Sequence, residues 1–168
     1  MSSRADLPYR PCAGAVLINR AGLVLVGHRA DLEDSAGAAP WQMPQGGIDE
    51  GESPLDAARR ELWEETSVRS IELLGEAPDW YRYDVPDELA KGRFQRKWRG
   101  QTQKWFAFRF LGNDGEIDIE RPGGGAHPAE FSCWAWKPLS EVPGLVVAFK
   151  RPIYEKVAAV FADLAVPT

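Results

Sequence analysis

Residues 46–68, GGIDEGESPLDAARRELWEETSV, carry most of the structural information in this sequence. Ser53 followed by Pro54 is typical of a helix start, because the serine hydroxyl caps a free backbone N–H and proline fits the first helical turn. Leu55, Ala58 and Leu62 then recur at the spacing of one helix face. The stretch therefore predicts a helix over residues 53–66 that packs one apolar side against the core.

The same predicted helix carries three glutamates, Glu61, Glu64 and Glu65. Carboxylates at this spacing lie close together and repel each other by roughly 0.2–0.5 kcal/mol per pair. A solvated acidic face is the ordinary interpretation of such a cluster. These acids border the apolar stripe, however, and Mg²⁺ prefers carboxylate oxygens as ligands, so we favour a metal site.

The spacing of residues around this helix resembles the signature of the Nudix hydrolase superfamily, a loop-helix-loop that binds Mg²⁺ and cleaves nucleoside diphosphates linked to another group. The matching positions are Gly46, Glu52, Arg60, Glu61, Leu62, Glu64 and Glu65. Val68 also fits the final apolar position of the signature. Ser67 departs from it, since the family has glycine there, and a left-handed cap at a serine costs about 1 kcal/mol.

The resemblance implies a fold of the α+β class, a Nudix-type α/β/α sandwich with a mixed β-sheet and the loop-helix-loop as its catalytic motif. Apolar segments on either side of residues 20–22 predict a hairpin, and four later segments predict further strands. Ile153, Val157, Val160, Phe161 and Leu164 predict an amphipathic last helix. We expect residues 1–168 to form a single Nudix hydrolase domain, with residues 1–8 as a flexible N-terminal tail.

The resemblance also implies roles for the matched positions. The expected catalytic and metal-binding residues are Glu61, Glu64, Glu65 and Glu130, the last because the family has a metal-binding glutamate in a late strand. The expected supporting residues of the motif are Gly46, Glu52 and Arg60. The expected cofactor is Mg²⁺, with Mn²⁺ as a substitute. For Glu130 the alternative is an acid in solvent at the start of a strand.

Segments outside the signature resemble one branch of the superfamily, the bacterial RNA pyrophosphohydrolases and the related dinucleoside tetraphosphate hydrolases. They are YRP, WQMPQGGIDEGE, GQTQKWFAF, AEFSCWAW and VVAFKRPIYEKV. In that branch, the positions of Phe149 and Lys150 stack on a base and approach phosphate, and those of Arg10 and Arg29 contact the 5′ end of the substrate. The alternatives are a core phenylalanine and solvated cations.

The resemblance thus predicts an enzyme, a pyrophosphohydrolase that cleaves phosphoric anhydride bonds. Its expected substrate is the 5′-terminal polyphosphate of RNA, and the alternative is diadenosine tetraphosphate or another dinucleoside polyphosphate. A nucleotide-binding regulator without turnover is a different class of function. The three repelling glutamates disfavour it, because a pure binder has little use for them.

Composition sets the remaining limits. Residues 49–65 hold seven acidic and two basic side chains, which accounts for the whole net charge of −5. This charge argues against a protein that coats nucleic acid with its entire surface. Residues 91–99 hold five basic side chains and no acid, and they could follow a phosphate backbone or form a solvated loop.

No apolar run is long enough to span a membrane, and the N-terminus lacks the apolar stretch of a secretory signal. Two cysteines are too few for a disulfide framework. We therefore expect a cytoplasmic protein with no membrane association and no obligate protein partner. Neither cysteine is expected to take part in catalysis, and the same holds for His28 and His127.

Overall fold

The computed structural model describes residues 3–30, 41–90, 92 and 97–168. Within them the strands are β1 (Tyr9–Ile18), β2 (Val24–Arg29), β3 (Trp41–Gln42), β4 (Gln45–Gly47), β5 (Ile71–Glu76), β6 (Tyr81–Asp84), β7 (Gly100–Phe110) and β8 (Phe131–Lys137). The α-helices are α1 (Pro54–Thr66) and α2 (Arg151–Phe161). Short 3₁₀ helices span Arg4–Asp6, Asp87–Leu89, Asp114–Glu116, Pro122–Gly125, Leu139–Gly144 and Ala148–Lys150.

The described strands form one sheet, with β1 and β7 as its central pair. These two strands run parallel along the whole of β1, from Tyr9 opposite Gly100 to Ile18 opposite Arg109. Every other pairing is antiparallel: β2 and β4 add to β1, β5 and β6 to β7, and β3 and β8 to β2. The sheet is therefore mixed, and the predicted α+β fold class is confirmed.

A hydrophobic core lies on each face of this sheet. On one face α1 packs on β1, β4 and β7, and its cluster includes Leu17, Leu62, Phe106 and Phe131. On the other face α2 packs on β6 and on the Trp105 ring of β7, and its cluster includes Val16, Trp105, Tyr154 and Phe161. Helices on both faces give the three-layer arrangement expected from the sequence.

The predicted hairpin joins β1 to β2 through a turn at Gly22. This glycine has φ +81°, a left-handed conformation that a residue with a side chain adopts at a cost. A Cβ at Gly22 would also lie 2.6 Å from the backbone of Val166. A hydrogen bond adds to the contact between this turn and the C-terminal residues, since the Thr168 N–H donates to the Arg20 carbonyl at 2.9 Å.

Helix α1 begins and ends where the sequence predicts. The Asp56 N–H donates to the Ser53 hydroxyl at 3.1 Å, which is the expected N-cap. Ser67 ends the helix in the left-handed conformation, with φ 69°. Its hydroxyl donates to the Asp118 carbonyl at 3.0 Å and accepts from the Gly123 N–H at 3.1 Å. These two bonds offset the strain of a serine at the cap.

Helix α2 differs in part from its predicted apolar stripe. The helix ends at Phe161, Val160 is 39% exposed, and Leu164 lies in the turn beyond the helix. Tyr154 is buried instead, at 2% exposure. Tyr154 precedes Val157 by three residues and Phe161 by seven, so the three side chains lie on one face of the helix. Val160 lies to one side of that face.

The N-terminal residues contact the connection between β6 and β7. Arg4 donates to the carbonyls of Val85 and Arg99 at 3.2 Å each and forms an ion pair with Asp87 at 2.9 Å. The flexibility expected for residues 1–8 stays a prediction, as does the single domain. None of the helices in the described part of the chain has the length and apolarity needed to cross a bilayer.

Candidate active site

The candidate site lies where β4 meets α1. A Cβ at Gly46 would collide with the carboxylate of Glu61, so this close approach requires glycine. The next residue is equally constrained, because a Cβ at Gly47 would collide with the guanidinium of Arg10. Gly46 and Gly47 thus let the carboxylate of Glu61 and the guanidinium of Arg10 approach the same short strand.

Arg60 connects the loop before α1 to the helix itself. Its Nε and Nη2 donate to the two carboxylate oxygens of Glu52 at 2.8 and 2.9 Å. Nη2 also donates to the Gly47 carbonyl at 2.8 Å. The bond from Arg60 is the main reason that the pKa of Glu52 lies below its usual range. The structure therefore joins Glu52 and Arg60, two of the three residues that were expected to support the motif, and Arg60 also bonds to the residue that follows the third, Gly46.

The remaining nitrogen of Arg60 contacts two of the helix glutamates. Nη1 donates to Glu61 at 2.8 Å and to Glu64 at 3.1 Å. Burial nevertheless raises the pKa of Glu61, against the opposing effect of Arg60. The charges of Glu64 and Glu130 add to this rise.

Glu65 is the most buried of the carboxylates, at 3% exposure. Its Oε2 accepts a hydrogen bond from the Gln45 N–H at 3.0 Å. Burial raises its pKa well above the usual range, and the charges of Glu130 and Glu61 raise it further. The Gln45 N–H and the ammonium of Lys150 act in the opposite direction. A carboxylate with such surroundings is stabilised by an additional cation.

Glu130 approaches these residues from the other end of the chain. It is exposed and immediately precedes β8, where its carbonyl accepts from the Ala30 N–H at 3.1 Å. Its charge raises the pKa of both Glu61 and Glu65, so its carboxylate lies within electrostatic reach of them. The fold therefore brings Glu130 within electrostatic reach of Glu61 and Glu65, and Glu64 within reach of Glu61.

These carboxylates fit a hard divalent cation by their chemistry. They offer only oxygen donors, the type that Mg²⁺ and Mn²⁺ accept, and at least two of them are held where a negative charge is unfavourable. In the part of the chain that the structure describes, no three carboxylate, histidine or cysteine side chains converge closely enough to hold an ion. The guanidinium of Arg60 lies between Glu61 and Glu64 instead.

Four residues were expected to bind substrate, and the structure places one of them, Lys150, within electrostatic reach of Glu65. The Lys150 side chain is buried, and its Nζ donates to Gln42 Oε1 at 3.1 Å. Lys150 acts on the pKa of Glu65, while Arg10 and Arg29 both lower the pKa of Tyr83, which burial raises. The Phe149 ring lies 5.4 Å from that of Tyr83. Lys150 thus adjoins the acidic cluster, and Arg10, Arg29 and Phe149 lie around Tyr83.

The basic stretch is described only in part, since residues 91 and 93–96 lie outside the described residues. Arg99 donates to Asp84 at 2.9 Å and to the Ala5 carbonyl at 2.7 Å. These bonds occupy the Arg99 guanidinium. A structural role, in joining Asp84 to Ala5, therefore explains Arg99 better than a contact with phosphate does. The ammonium of Lys97, by contrast, lies 5.2 Å from the Trp98 ring in an exposed position.

Several residues near the site were not indicated by any pattern in the sequence. Gln42, Tyr83 and Tyr154 reach it through contacts between residues far apart in the chain. His127, for which no catalytic role was expected, places its Nε2 3.7 Å from Glu64 Oε1. Burial raises the pKa of Cys12 to about 12, which keeps that thiol protonated. No spacing rule relates any of these residues to the helix glutamates.

Comparison with known proteins identifies the family. The NUDIX domain matches residues 8–157. The RNA pyrophosphohydrolase of Bradyrhizobium sp. (strain ORS 278) is 55% identical over 166 residues, covering 98% of this chain and 99% of the relative. That of Mesorhizobium japonicum is 56% identical over 165 residues, covering 96% of this chain and 95% of the relative.

Solved structures extend the comparison at the level of the fold. The E. coli dihydroneopterin triphosphate pyrophosphohydrolase superposes with a TM-score of 0.68 at 18% identity, covering 93% of this chain and 99% of that one. A C. elegans Ap4A hydrolase gives a TM-score of 0.61 at 18% identity, covering 92% and 98%. The family match spans most of the chain, and close relatives align along nearly all of it. The family expected from residues 46–68 is therefore confirmed: the chain belongs to the NUDIX domain family.

Proposed function

We propose that this protein is an RNA 5′ pyrophosphohydrolase, which hydrolyses phosphoric anhydride bonds in the 5′-terminal polyphosphate of RNA. The observation that carries the proposal is the meeting of two sets of side chains at β3 and β4. Buried carboxylates of α1 lie on one side, and Lys150 and Arg10 lie on the other. Relatives more than half identical over nearly the whole chain bear the name RNA pyrophosphohydrolase, which supports the same reaction.

The carboxylates are proposed as the metal-binding and catalytic residues. Glu61, Glu64, Glu65 and Glu130 would hold divalent cations, Mg²⁺ in the first place and Mn²⁺ as a substitute. Such a cation, when bound, neutralises phosphate charge and lowers the pKa of bound water. One carboxylate of the set accepts the proton of the attacking water. The ion pair of Arg60 with Glu52 fixes the position of the loop relative to the helix.

The second set of side chains binds the substrate. Lys150 is held at Gln42, so its positive charge approaches phosphate from a fixed position and loses little side-chain entropy on binding. Arg10 and Arg29 add positive charge for the 5′ end. Phe149 offers a ring on which a base stacks, an interaction of about 1–3 kcal/mol.

The remaining parts of the proposal concern the molecule as a whole. Residues 1–168 form a single Nudix hydrolase domain that acts on RNA in the cytoplasm, where RNA 5′ ends arise. It needs neither a membrane nor an obligate protein partner.

A substrate panel tests the proposal. Purified protein with Mg²⁺ is given 5′-triphosphorylated RNA, 5′-diphosphorylated RNA and diadenosine tetraphosphate, and the released phosphate and pyrophosphate are measured. We expect RNA to be the better substrate by kcat/KM, and Glu65→Gln to lower kcat at least about 100-fold. A preference of tenfold or more for the dinucleotide would overturn the RNA assignment. Near-normal turnover by both Glu65→Gln and Glu64→Gln would overturn the metal site.

One observation favours the second candidate, a dinucleoside polyphosphate hydrolase. Arg99 is bonded to Asp84 and to the Ala5 carbonyl, so the basic stretch has one cation fewer for the backbone of an RNA chain. A dinucleotide needs no such contacts, because its phosphates all lie within the site. The same panel separates the two functions.

A further inference from the structure

Residues 42–45, which we call the 42–45 segment, are held by two side chains, one just before α2 and one in its first turn. The Lys150 ammonium donates to the Gln42 side chain at 3.1 Å. One helical turn later, the Tyr154 hydroxyl accepts from the Met43 N–H at 3.0 Å. Tyr154 and Met43 are both buried, so water does not compete for this bond. The position of the segment is therefore set from α2.

The other end of the segment contacts the acidic cluster. The Gln45 N–H donates to Glu65 Oε2 at 3.0 Å. Between these contacts, the Pro44 carbonyl accepts from the Ala15 N–H of β1 at 2.9 Å. The chain is thus fixed at three successive residues, by α2, by β1 and by α1. A shift of Met43 would be passed to Gln45 and so to the carboxylate of Glu65.

The hydroxyl of Tyr154 is the part of that side chain which packing does not require. Its ring contacts the Trp105 ring edge to face, with centroids 5.5 Å apart, and phenylalanine would keep this contact. Without the hydroxyl, the buried Met43 N–H would have no acceptor in its present position. Such a group moves toward another acceptor or water, since leaving it unpaired is unfavourable.

We propose that Tyr154 is a positioning residue for Glu65, acting through the Met43 N–H and the 42–45 segment. The inference rests on the proposed role of Glu65 in binding the metal ion. Because a carboxylate is planar, the bond from Gln45 to Oε2 also sets the direction of Oε1. Tyr154 thereby helps to hold the metal-binding carboxylate in one orientation without touching substrate or metal.

Two variants separate positioning from general stability. Tyr154→Phe removes only the hydroxyl. Val157→Ala, one turn further along α2, removes buried methyl groups from the same hydrophobic cluster, and no described hydrogen bond links Val157 to the 42–45 segment. Both variants are expected to lower the melting temperature.

Two readouts should respond to Tyr154→Phe alone. The first is amide hydrogen exchange in the metal-free protein, which should accelerate at Met43 and Gln45 at least about tenfold, the change expected when one bond of this kind is lost. The second is Mn²⁺ affinity, measured by titration, which should fall about tenfold, the lower end for residues that orient a metal ligand. We expect kcat to fall with it and KM for RNA to stay within about twofold of wild type.

The outcomes are distinct. Normal Mn²⁺ affinity in Tyr154→Phe, with impaired affinity in Glu65→Gln, would overturn the role of Tyr154 alone. The same is true if Val157→Ala weakens Mn²⁺ binding as much as Tyr154→Phe does. Normal affinity in Glu65→Gln would overturn the metal site itself and the inference that rests on it.

Discussion

Glu65 combines burial, negative charge and a single backbone hydrogen bond. Its pKa lies well above the ordinary value of 4.5, first because of burial. A carboxyl group whose pKa is raised by folding favours the folded state most at low pH, where it is protonated. That stabilisation is lost as the pH rises from about 4.5 through the pKa of the folded state.

This behaviour predicts a pH-dependent effect of Glu65→Gln in the metal-free protein. Glutamine keeps an oxygen for the Gln45 N–H but carries no charge. The stability of the variant protein should therefore not respond to this titration. The melting temperature of the variant relative to wild type should therefore rise between pH 5 and pH 8. Thermal unfolding in a chelating buffer measures this difference, with Glu50→Gln, which changes an exposed acid in the loop before α1, as the control. A constant difference across this range would contradict the prediction.

Ser67 gives a second test at the level of one residue. Glycine would remove the left-handed strain, about 1 kcal/mol, and the sequence alone predicts a neutral or stabilising change. The structure shows two hydrogen bonds from the serine hydroxyl, to Asp118 and from Gly123. Each contributes about 0.5–1.5 kcal/mol, so their loss should outweigh the gain.

We therefore expect Ser67→Gly to lower the free energy of unfolding by roughly 1 kcal/mol. Ser67→Ala should be lower still, since it loses the same bonds and keeps the strain. Urea denaturation of wild type and the two variants measures the order of their free energies of unfolding. A glycine variant more stable than wild type would show that the two bonds contribute little in solution.

At the level of elements, the contact between β4 and α1 decides the geometry of the site. Gly46 has no side chain because the Glu61 carboxylate occupies the space beside it. Gly46→Ala should push this carboxylate away and lower Mn²⁺ affinity about tenfold or more. Gly144→Ala is the matched control, because a Cβ there meets nothing within 4 Å. Equal Mn²⁺ affinity in the two variants would show that the contact does not shape the site.

The sequence predicts α1 completely, because its cap, its apolar stripe and its end are all local features. Glu61, Glu64 and Glu65 follow from the same spacing. Glu130 is predicted only by resemblance, since nothing local marks it as different from a solvated acid. The contact of Tyr154 with Met43 joins residues 111 positions apart, and only the folded chain reveals it. For Val160 in α2 the sequence pattern is misleading. Its apolar side chain has the spacing predicted for the buried face, yet it is exposed.

At the level of the whole molecule, the sequence concentrates acidic side chains in residues 49–65 and basic ones in residues 91–99. The basic stretch is the part that distinguishes an RNA chain from a dinucleotide as substrate. Replacing Lys91, Arg93, Arg96 and Lys97 with glutamine leaves Arg99 and its bonds intact. We expect kcat/KM to fall, with a weaker salt dependence, for an RNA of about ten nucleotides. Diadenosine tetraphosphate should be cleaved as before.

Arg99→Gln serves as the contrasting variant in this experiment. It should lower the melting temperature, because it removes the bonds to Asp84 and Ala5, and it should affect both substrates alike. If the fourfold variant also loses activity equally on RNA and on the dinucleotide, the basic stretch does not bind an RNA chain.

The pairing of Thr168 with Arg20 has a practical consequence for handling the protein. The chain ends beside the turn that follows β1, whereas Arg10, at the beginning of that strand, faces the candidate site. A strand of this length extends roughly 30 Å. A fluorescent dye or a biotin tether attached after Thr168 would therefore lie beside that turn and away from Arg10, and single molecules could be fixed to a surface through it.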